Sequence, residues 1–310
     1  MMQLVERGGR ITTRMPGDDR ILRYAPLLRF IPGETHFPID PATFVEKSLL
    51  RRYGWSDEVR DGVWHPRRSC WESAPAGLPA SADALGPDLS EACRLIQFEA
   101  RGTELGFNRR PCDARNLWHG RRAGYALELG EPLSRDLRGV PGAAPWLLYD
   151  RYSIETAVGP RDVIGYWFFY ALKAAAQAHE GAWEHVSLLL SGVGAAPLVR
   201  FEGSAGAVTY GLGDIETVEG THPVLYVEPG SHAMFRTAEE SDGGRAEDYS
   251  VSLRGWRLEP RRVAAMSWSC FDGAWGRAGA GPRATGPLGP LFRRESAATI
   301  ALSVAAAPRP

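Results

Sequence analysis

The sequence predicts a mainly β fold, an antiparallel β-sandwich with a few short helices and long loops, on three observations. From Tyr125 onward the chain contains short apolar segments with alternating side chains, such as Tyr125, Leu127 and Leu129. Turns rich in Gly, Pro and Asp separate these segments at roughly 10 to 20 residues, as in sandwiches and barrels. No alternation of strands with helices of the βαβ type is present. The 310 residues are compatible with one domain, which we predict for residues 1–310.

The first 50 residues predict one strand and one helix. After a polar lead over residues 1–20, the apolar and aromatic run Ile21–Ile31 suits a buried strand. Asp40 is a suitable N-cap, Pro41 a suitable first helical residue, and Gly54 a suitable residue to follow the last turn. A helix is therefore predicted between Asp40 and Gly54.

The middle of the chain predicts a loop and then a series of strands. Residues 73–87 are small, Pro-rich and nearly uncharged, which indicates a surface loop or insertion. Leu89–Ala100 suits a helix or a strand, and both stay open. Ala171–Ala178 has a helical composition and predicts one or two exposed turns. Beyond Tyr125–Leu129, the predicted strands are Trp146–Tyr152, Val163–Leu172, Trp183–Leu190, Leu198–Glu202, Ala207–Leu212 and Val224–Glu228.

The C-terminal part predicts loops and one last strand. The acidic segment Thr237–Asp248 and the Gly/Pro/Arg-rich residues 273–290 are typical of mobile loops. Thr299–Val304 is apolar and predicts a final strand.

Charge and apolar runs limit the partners that we expect. With 36 basic and 37 acidic side chains the net charge is -1, so nothing in the overall charge favours nucleic acid or an anionic membrane. The N-terminus has no apolar segment of the secretory type, and the longest apolar runs are shorter than the about 18 residues of a membrane helix. We expect a cytoplasmic protein.

The cysteines lie far apart and are expected as buried free thiols: Cys70, Cys93, Cys112 and Cys270.

One segment, His179–His185, has two histidines and two glutamates within seven residues. The chain has no G-x-S-x-G nucleophile elbow, Walker A lysine, dinucleotide loop or HExxH zinc motif. Alternation along Trp183–Leu190 puts Glu184 on the apolar face of the strand, and a carboxylate there is costly unless it is paired, hydrogen-bonded or bound to metal. His185 falls on the opposite face and is predicted at the surface or rim.

Four segments carry a recognisable set of motifs in a fixed order: Tyr24–Phe30 with His36–Pro38, Gly165–Tyr170, His179–Glu184 and Gly230–Ala233. This set resembles the Vps62-related family, which has an aromatic run, then His-Glu-Gly-Asp-Trp-Glu, then Gly-Ser-His-Ala. The similarity covers about residues 21 to 235.

The hexapeptide is in turn similar to the His-x-x-Asp-Trp-Glu motif of secreted necrosis-inducing proteins, which are β-sandwiches that bind a divalent cation. This similarity implies His179 and Glu184 as metal ligands, with His232 approaching from a neighbouring loop. Ala182 stands where those proteins have Asp, and a methyl group cannot bind a cation. Either Glu180 or Glu228 substitutes for the Asp, or the metal is lost, and we favour loss of the metal.

Two classes of function follow from these residues. The first is a ligand-binding or interaction protein in which an aromatic cleft with Ser231 holds a small molecule, a glycan or a lipid headgroup; the predicted cleft residues are Tyr166, Trp167 and Trp183. The second is an enzyme that uses Glu184 and His232, with His179, for acid–base or metal-assisted chemistry. A membrane-damaging protein like the necrosis inducers ranks third. The absence of a standard nucleophile and of the Asp favours the binding protein.

Overall fold

A computed structural model describes the parts of the chain that are given below. The Leu89–Ala100 segment, the four cysteines, residues 74–87 of the predicted loop and the Thr299–Val304 strand lie outside the described part. The residues described are 18–53, 59–60, 63–64, 71–73, 125–129, 135–140, 146–156, 159–175, 178–190, 196–203, 206–241, 245, 251–253, 257–263, 266, 268, 274–276 and 286–290.

The fold is mainly β with a few short helices, which confirms the predicted class. The helices include α1 (Asp18–Arg23) and α2 (Pro41–Lys47), Arg135 and Asp136 are also helical, and 3-10 turns lie at Leu212–Asp214 and Ala238–Glu240. The strands are β1 (Leu27–Phe30), β2 (Leu49–Tyr53), β3 (Val59–Arg60), β4 (Val63–Trp64), β5 (Trp71–Ser73), β6 (Tyr125–Glu128), β7 (Trp146–Thr156), β8 (Gly159–Lys173), β9 (His179–Leu190), β10 (Leu198–Gly203), β11 (Gly206–Gly211), β12 (Thr217–Val218), β13 (His222–Val227), β14 (Met234–Phe235), β15 (Val251–Leu253), β16 (Arg257–Arg262) and β17 (Ala274–Trp275).

Helix α2 begins where the sequence predicts and ends earlier. The Asp40 side chain accepts a hydrogen bond from the Ala42 N–H at 2.9 Å, and Pro41 is the first helical residue. The helix stops at Lys47, followed by Ser48 as C-cap. The prediction that its last turn includes Arg51 and Arg52, just before Gly54, is wrong, because these residues form β2 and pair with β6. In this segment, pairing with β6 determines the structure although the composition favours a helix.

The prediction of a strand over Ile21–Ile31 is correct only in its second half. The first residues of that run belong to α1, and Tyr24 N still donates to Arg20 O at 3.1 Å. Pro26 has no N–H and cannot continue a helix, so the chain changes to an extended conformation there and enters β1.

Three sheets account for most strands. The central sheet has the order β11-β10-β9-β8-β7-β16, the front sheet β12-β13-β1-β15 with β14 on β13, and the back sheet β17-β6-β2-β5. A separate pair joins β3 and β4. The predicted antiparallel arrangement holds from β11 to β7, but β1–β13, β7–β16 and β6–β17 are parallel. These three pairs join distant parts of the chain, so no hairpin forces them to be antiparallel.

Both faces of the central sheet are covered. On the front face, Ile164, Tyr166 and Phe168 pack in one core with residues of β1, β13 and β14. On the back face, Phe169 and Trp183 pack with residues of β6, β17 and α2. The sandwich therefore has three layers at this position, with the central sheet in the middle.

The covered back face overturns the prediction that His185 lies at the surface or rim. His185 is 6% exposed rather than at the rim, and its ring stacks on Trp167 at 4.2 Å between centroids. Alternation correctly separated its face from that of Glu184, but alternation alone does not show that a second layer covers that face. A separate prediction, of helical turns over Ala171–Ala178, is wrong at the start of that segment, where β8 continues through Lys173.

Candidate functional site

Three side chains from distant parts of the chain form a buried polar cluster at the front of the central sheet. Tyr170 lies near the end of β8, His36 in the loop after β1, and His232 in the turn between β13 and β14. The rings of Tyr170 and His232 stack at 3.9 Å with an angle of 6° between their planes. The rings of His36 and His232 are 6.4 Å apart, edge to face. We call these three residues the histidine cluster.

Glu34 joins the two loops that carry the histidines. One of its carboxylate oxygens accepts hydrogen bonds from the backbone N–H groups of Thr35 and His36, at 2.7 and 2.9 Å. The other accepts from Gly230 N at 2.8 Å. Because the carboxylate bonds to both loops, it fixes the position of His36 relative to His232.

The turn that holds His232 is strained and heavily braced. His232 has φ 60°, a left-handed conformation that costs a non-glycine residue on the order of 1–2 kcal/mol. Its N–H donates to Glu228 O at 2.9 Å, and the Ser231 hydroxyl donates to the Glu228 carboxylate. Ala233 N in turn donates to Ser231 Oγ at 3.1 Å. Strain that the surroundings maintain in this way is typical of functional positions.

Four polar atoms of the histidine cluster are buried without a partner among the described residues. His232 is 0%, Tyr170 0% and His36 5% exposed. Among the described residues, no group accepts from or donates to His36 Nε2, Tyr170 Oη or either ring nitrogen of His232. The other ring nitrogen of His36 does have a partner, the Thr35 hydroxyl at 3.0 Å.

Burial keeps all three groups of the cluster uncharged near neutral pH. It lowers the pKa of His232 to about 3, and repulsion from Lys173, from His179 and from any protonated form of His36 adds to that effect. Burial also lowers the pKa of His36, helped by Arg138 and opposed by Glu34. The pKa of Tyr170 is raised well above its usual value by burial first and then by the negative charges of Glu184 and Glu34.

We expect the free energy of unfolding to fall as the pH drops below about 6.5, the pKa of an unfolded histidine. The unfolded chain then binds protons that folded His232 and His36 do not, so the loss is about 1.4 kcal/mol per pH unit for each such histidine until its folded pKa is reached. Urea denaturation at a series of pH values measures this slope. A His232→Asn variant should show a shallower slope, and an equal slope in both proteins would contradict the assignment.

The other charged residues that the sequence singles out lie at the edge of the histidine cluster. Glu184 is on the front face, as alternation predicts, but its side chain is 15% exposed and lies 3.6 Å from Lys173 Nζ. His179 is the cross-strand partner of Lys173. Its Nδ1 is 3.1 Å from Glu180 O. The charge of His179 lowers the pKa of His232 and that of Glu184 raises the pKa of Tyr170, while His232 is the most deeply buried of the three predicted residues.

The predicted aromatic residues do not line one cleft. Tyr166 faces the front core and donates a hydrogen bond to Ile21 O at 2.9 Å. Trp167 and Trp183 face the back core, and all three are at least 96% buried. The interpretation of these residues as a shared cleft is wrong, because successive side chains of a strand point to opposite faces. Ser231, also predicted to contact ligand, braces the turn as described above.

The described residues do not fit the divalent cation that the resemblance implies. Glu180 turns to the back, where its carboxylate accepts from Leu129 N at 3.1 Å, and the Glu228 carboxylate is bonded to Ser231. Neither glutamate therefore replaces the missing Asp at Ala182, which itself packs in the front core. Within the part of the chain that the structure describes, no three His, Cys, Asp or Glu side chains are grouped as metal ligands.

Sequence reasoning missed two of the three cluster residues. His36 lies in one of the segments that carry the family resemblance, but it is 196 residues from His232 and no local pattern links them. Tyr170 reads as one more apolar residue of the aromatic run in β8. The signal that could have drawn attention to it is its phenol group, which needs a hydrogen-bond partner once buried.

Comparison of the chain with family models, with curated proteins and with solved structures finds no match. Over the described residues, none of the helices has the length and apolar character needed to cross a membrane.

Proposed function

We propose that this protein binds a small polar ligand, such as a small molecule, a glycan or a headgroup, at the histidine cluster. The observation that carries the proposal is the set of four buried polar atoms without a protein partner. Each such atom costs about 1–3 kcal/mol when nothing hydrogen-bonds to it, against a typical total stability of about 5–15 kcal/mol. A bound molecule that hydrogen-bonds to these four atoms would remove that cost.

The construction around the cluster supports the same proposal. The left-handed backbone of His232 and the Glu34 carboxylate that bonds to both loops hold the polar groups of the cluster in fixed positions. Lys173 and Glu184 add a charged pair at the edge, where a ligand that protrudes from the cluster would meet them. The predicted cytoplasmic location and the Vps62-related resemblance stay predictions.

Acid–base chemistry by His232 and Glu184, the alternative function, has less support. A general base works best with a pKa near the working pH, whereas burial holds the pKa of His232 at about 3. Such an imidazole is a weak base at neutral pH, and it is better suited to hydrogen-bonding a ligand than to removing a proton from one.

The test is Tyr170→Phe, which removes one unpartnered hydroxyl without changing the ring. We expect the ligand-free variant to be as stable as the original protein or more stable, by up to about 1–2 kcal/mol, because a buried group without a partner is removed. Urea denaturation of the purified full chain measures the change.

A screen of small polar molecules and glycans by thermal shift should then find ligands that stabilise the original protein more than the variant.

Tyr166→Phe is the matched control, four residues away on the same strand and face. Its hydroxyl does have a partner, Ile21 O, so this variant should lose about 1 kcal/mol. If Tyr170→Phe lost stability as Tyr166→Phe does, the Tyr170 hydroxyl would be bonded within the protein. The proposed binding function would then lose its basis.

A further inference from the structure

We infer that the group bound by the histidine cluster is uncharged and both donates and accepts hydrogen bonds, as a hydroxyl or a primary amide does. This inference rests on the proposed function, and it names the chemistry of the part of the ligand that lies innermost.

The donors and acceptors of the cluster are the first argument. An imidazole without an acidic partner has one ring nitrogen that donates and one that accepts, and a tyrosine hydroxyl can do both. His232 has both of its ring nitrogens unpartnered, so it presents a donor and an acceptor within the same ring. A carboxylate or phosphate only accepts hydrogen bonds. It can therefore satisfy the ring N–H but cannot donate to the accepting nitrogen. An ammonium or guanidinium group only donates and leaves the N–H unsatisfied.

The charges around the cluster are the second argument. The two carboxylates whose charges act on Tyr170 are engaged, since Glu34 accepts from three backbone N–H groups and Glu184 is paired with Lys173. No described acidic or basic side chain hydrogen-bonds to the unpartnered atoms of the cluster. A charged group placed there would lose its water without gaining a counter-ion, which is unfavourable. Any charged part of a ligand is better placed at the edge, beside Lys173 and Glu184.

Three probes of the same planar shape and size separate the possibilities: acetamide, acetate and acetamidinium. Each has four non-hydrogen atoms, and they differ in whether they donate and accept, only accept or only donate. Their dissociation constants for the full chain are measured from the ring resonances of His36 and His232 by NMR. We expect acetamide to bind about tenfold more tightly than either charged probe, because each charged probe forms one hydrogen bond fewer in the buried site. Tyr170→Phe should weaken acetamide binding and leave the resonances of His185 unchanged.

The outcomes distinguish this inference from the proposed function. If acetate or acetamidinium binds as tightly as acetamide or more tightly, the inference is overturned, while the binding function stands with a charged ligand. If none of the three probes perturbs the rings of His36 and His232 in a saturable way, both the inference and the proposed function are overturned.

Discussion

Replacing Gly181 by alanine is expected to destabilise the fold by more than about 4 kcal/mol, a loss that few single substitutions produce. Gly181 has φ 64°, and a Cβ atom there would lie 2.2 Å from the backbone oxygen of Trp275. The contact is with backbone, so no side chain can move aside to relieve it. Because stability is marginal, a large share of the variant should be unfolded or insoluble at 25 °C. Circular dichroism with urea denaturation measures the effect.

Gly220→Ala is the matched control for Gly181→Ala. Gly220 has a similar φ of 69°, but a Cβ atom there would meet nothing within 4 Å. This variant should therefore show only the cost of the left-handed conformation, about 1–2 kcal/mol. If the two variants lost similar amounts of stability, the close approach of β9 to β17 would be absent. Glu180 would then be free to face forward, contrary to its bond with Leu129.

Replacing His232 by asparagine is expected to weaken acetamide binding about tenfold, because the buried hydrogen bond between the imidazole and the ligand is lost. Asparagine tolerates the left-handed backbone conformation better than most residues, so the turn should keep its shape. The variant also removes the ring that stacks on Tyr170. Calorimetric or NMR titration of the full chain measures the affinity, and the far-UV circular dichroism spectrum checks that the fold is retained.

His185→Gln provides the comparison for a buried histidine outside the histidine cluster. His185 lies on the back face, with Nε2 2.7 Å from a Glu202 carboxylate oxygen. Its replacement should reduce stability and leave acetamide affinity within about twofold, since it has no contact with the cluster. An equal loss of affinity in both variants would mean that the effect of His232→Asn reflects general damage to the fold.

The positions of the central strands could be predicted from the sequence, but their surroundings could not. Apolar runs between turns located β7 to β11 to within a few residues. Alternation also placed Glu184 and His185 on opposite faces correctly. It gave no information about the layer that covers the back face, although the unbroken apolar run of β8 is typical of strands buried on both sides.

The candidate site was only partly predictable, for two physical reasons. His36 reaches His232 only through tertiary contacts, which the carboxylate of Glu34 fixes across 196 residues. Gly181 breaks the regular extended conformation at the start of β9, so Glu180 turns to the back although alternation would place it beside Ala182 and Glu184. A left-handed glycine inside a strand is not visible in a pattern of apolar residues.

A crystal structure of the protein grown with acetamide tests the central claim most directly. The account predicts density for the bound molecule within hydrogen-bond distance of His36 Nε2, Tyr170 Oη and at least one ring nitrogen of His232. The contradicting result is a set of rings that hydrogen-bond to other protein groups, or to water alone, at an acetamide concentration that saturates the NMR titration.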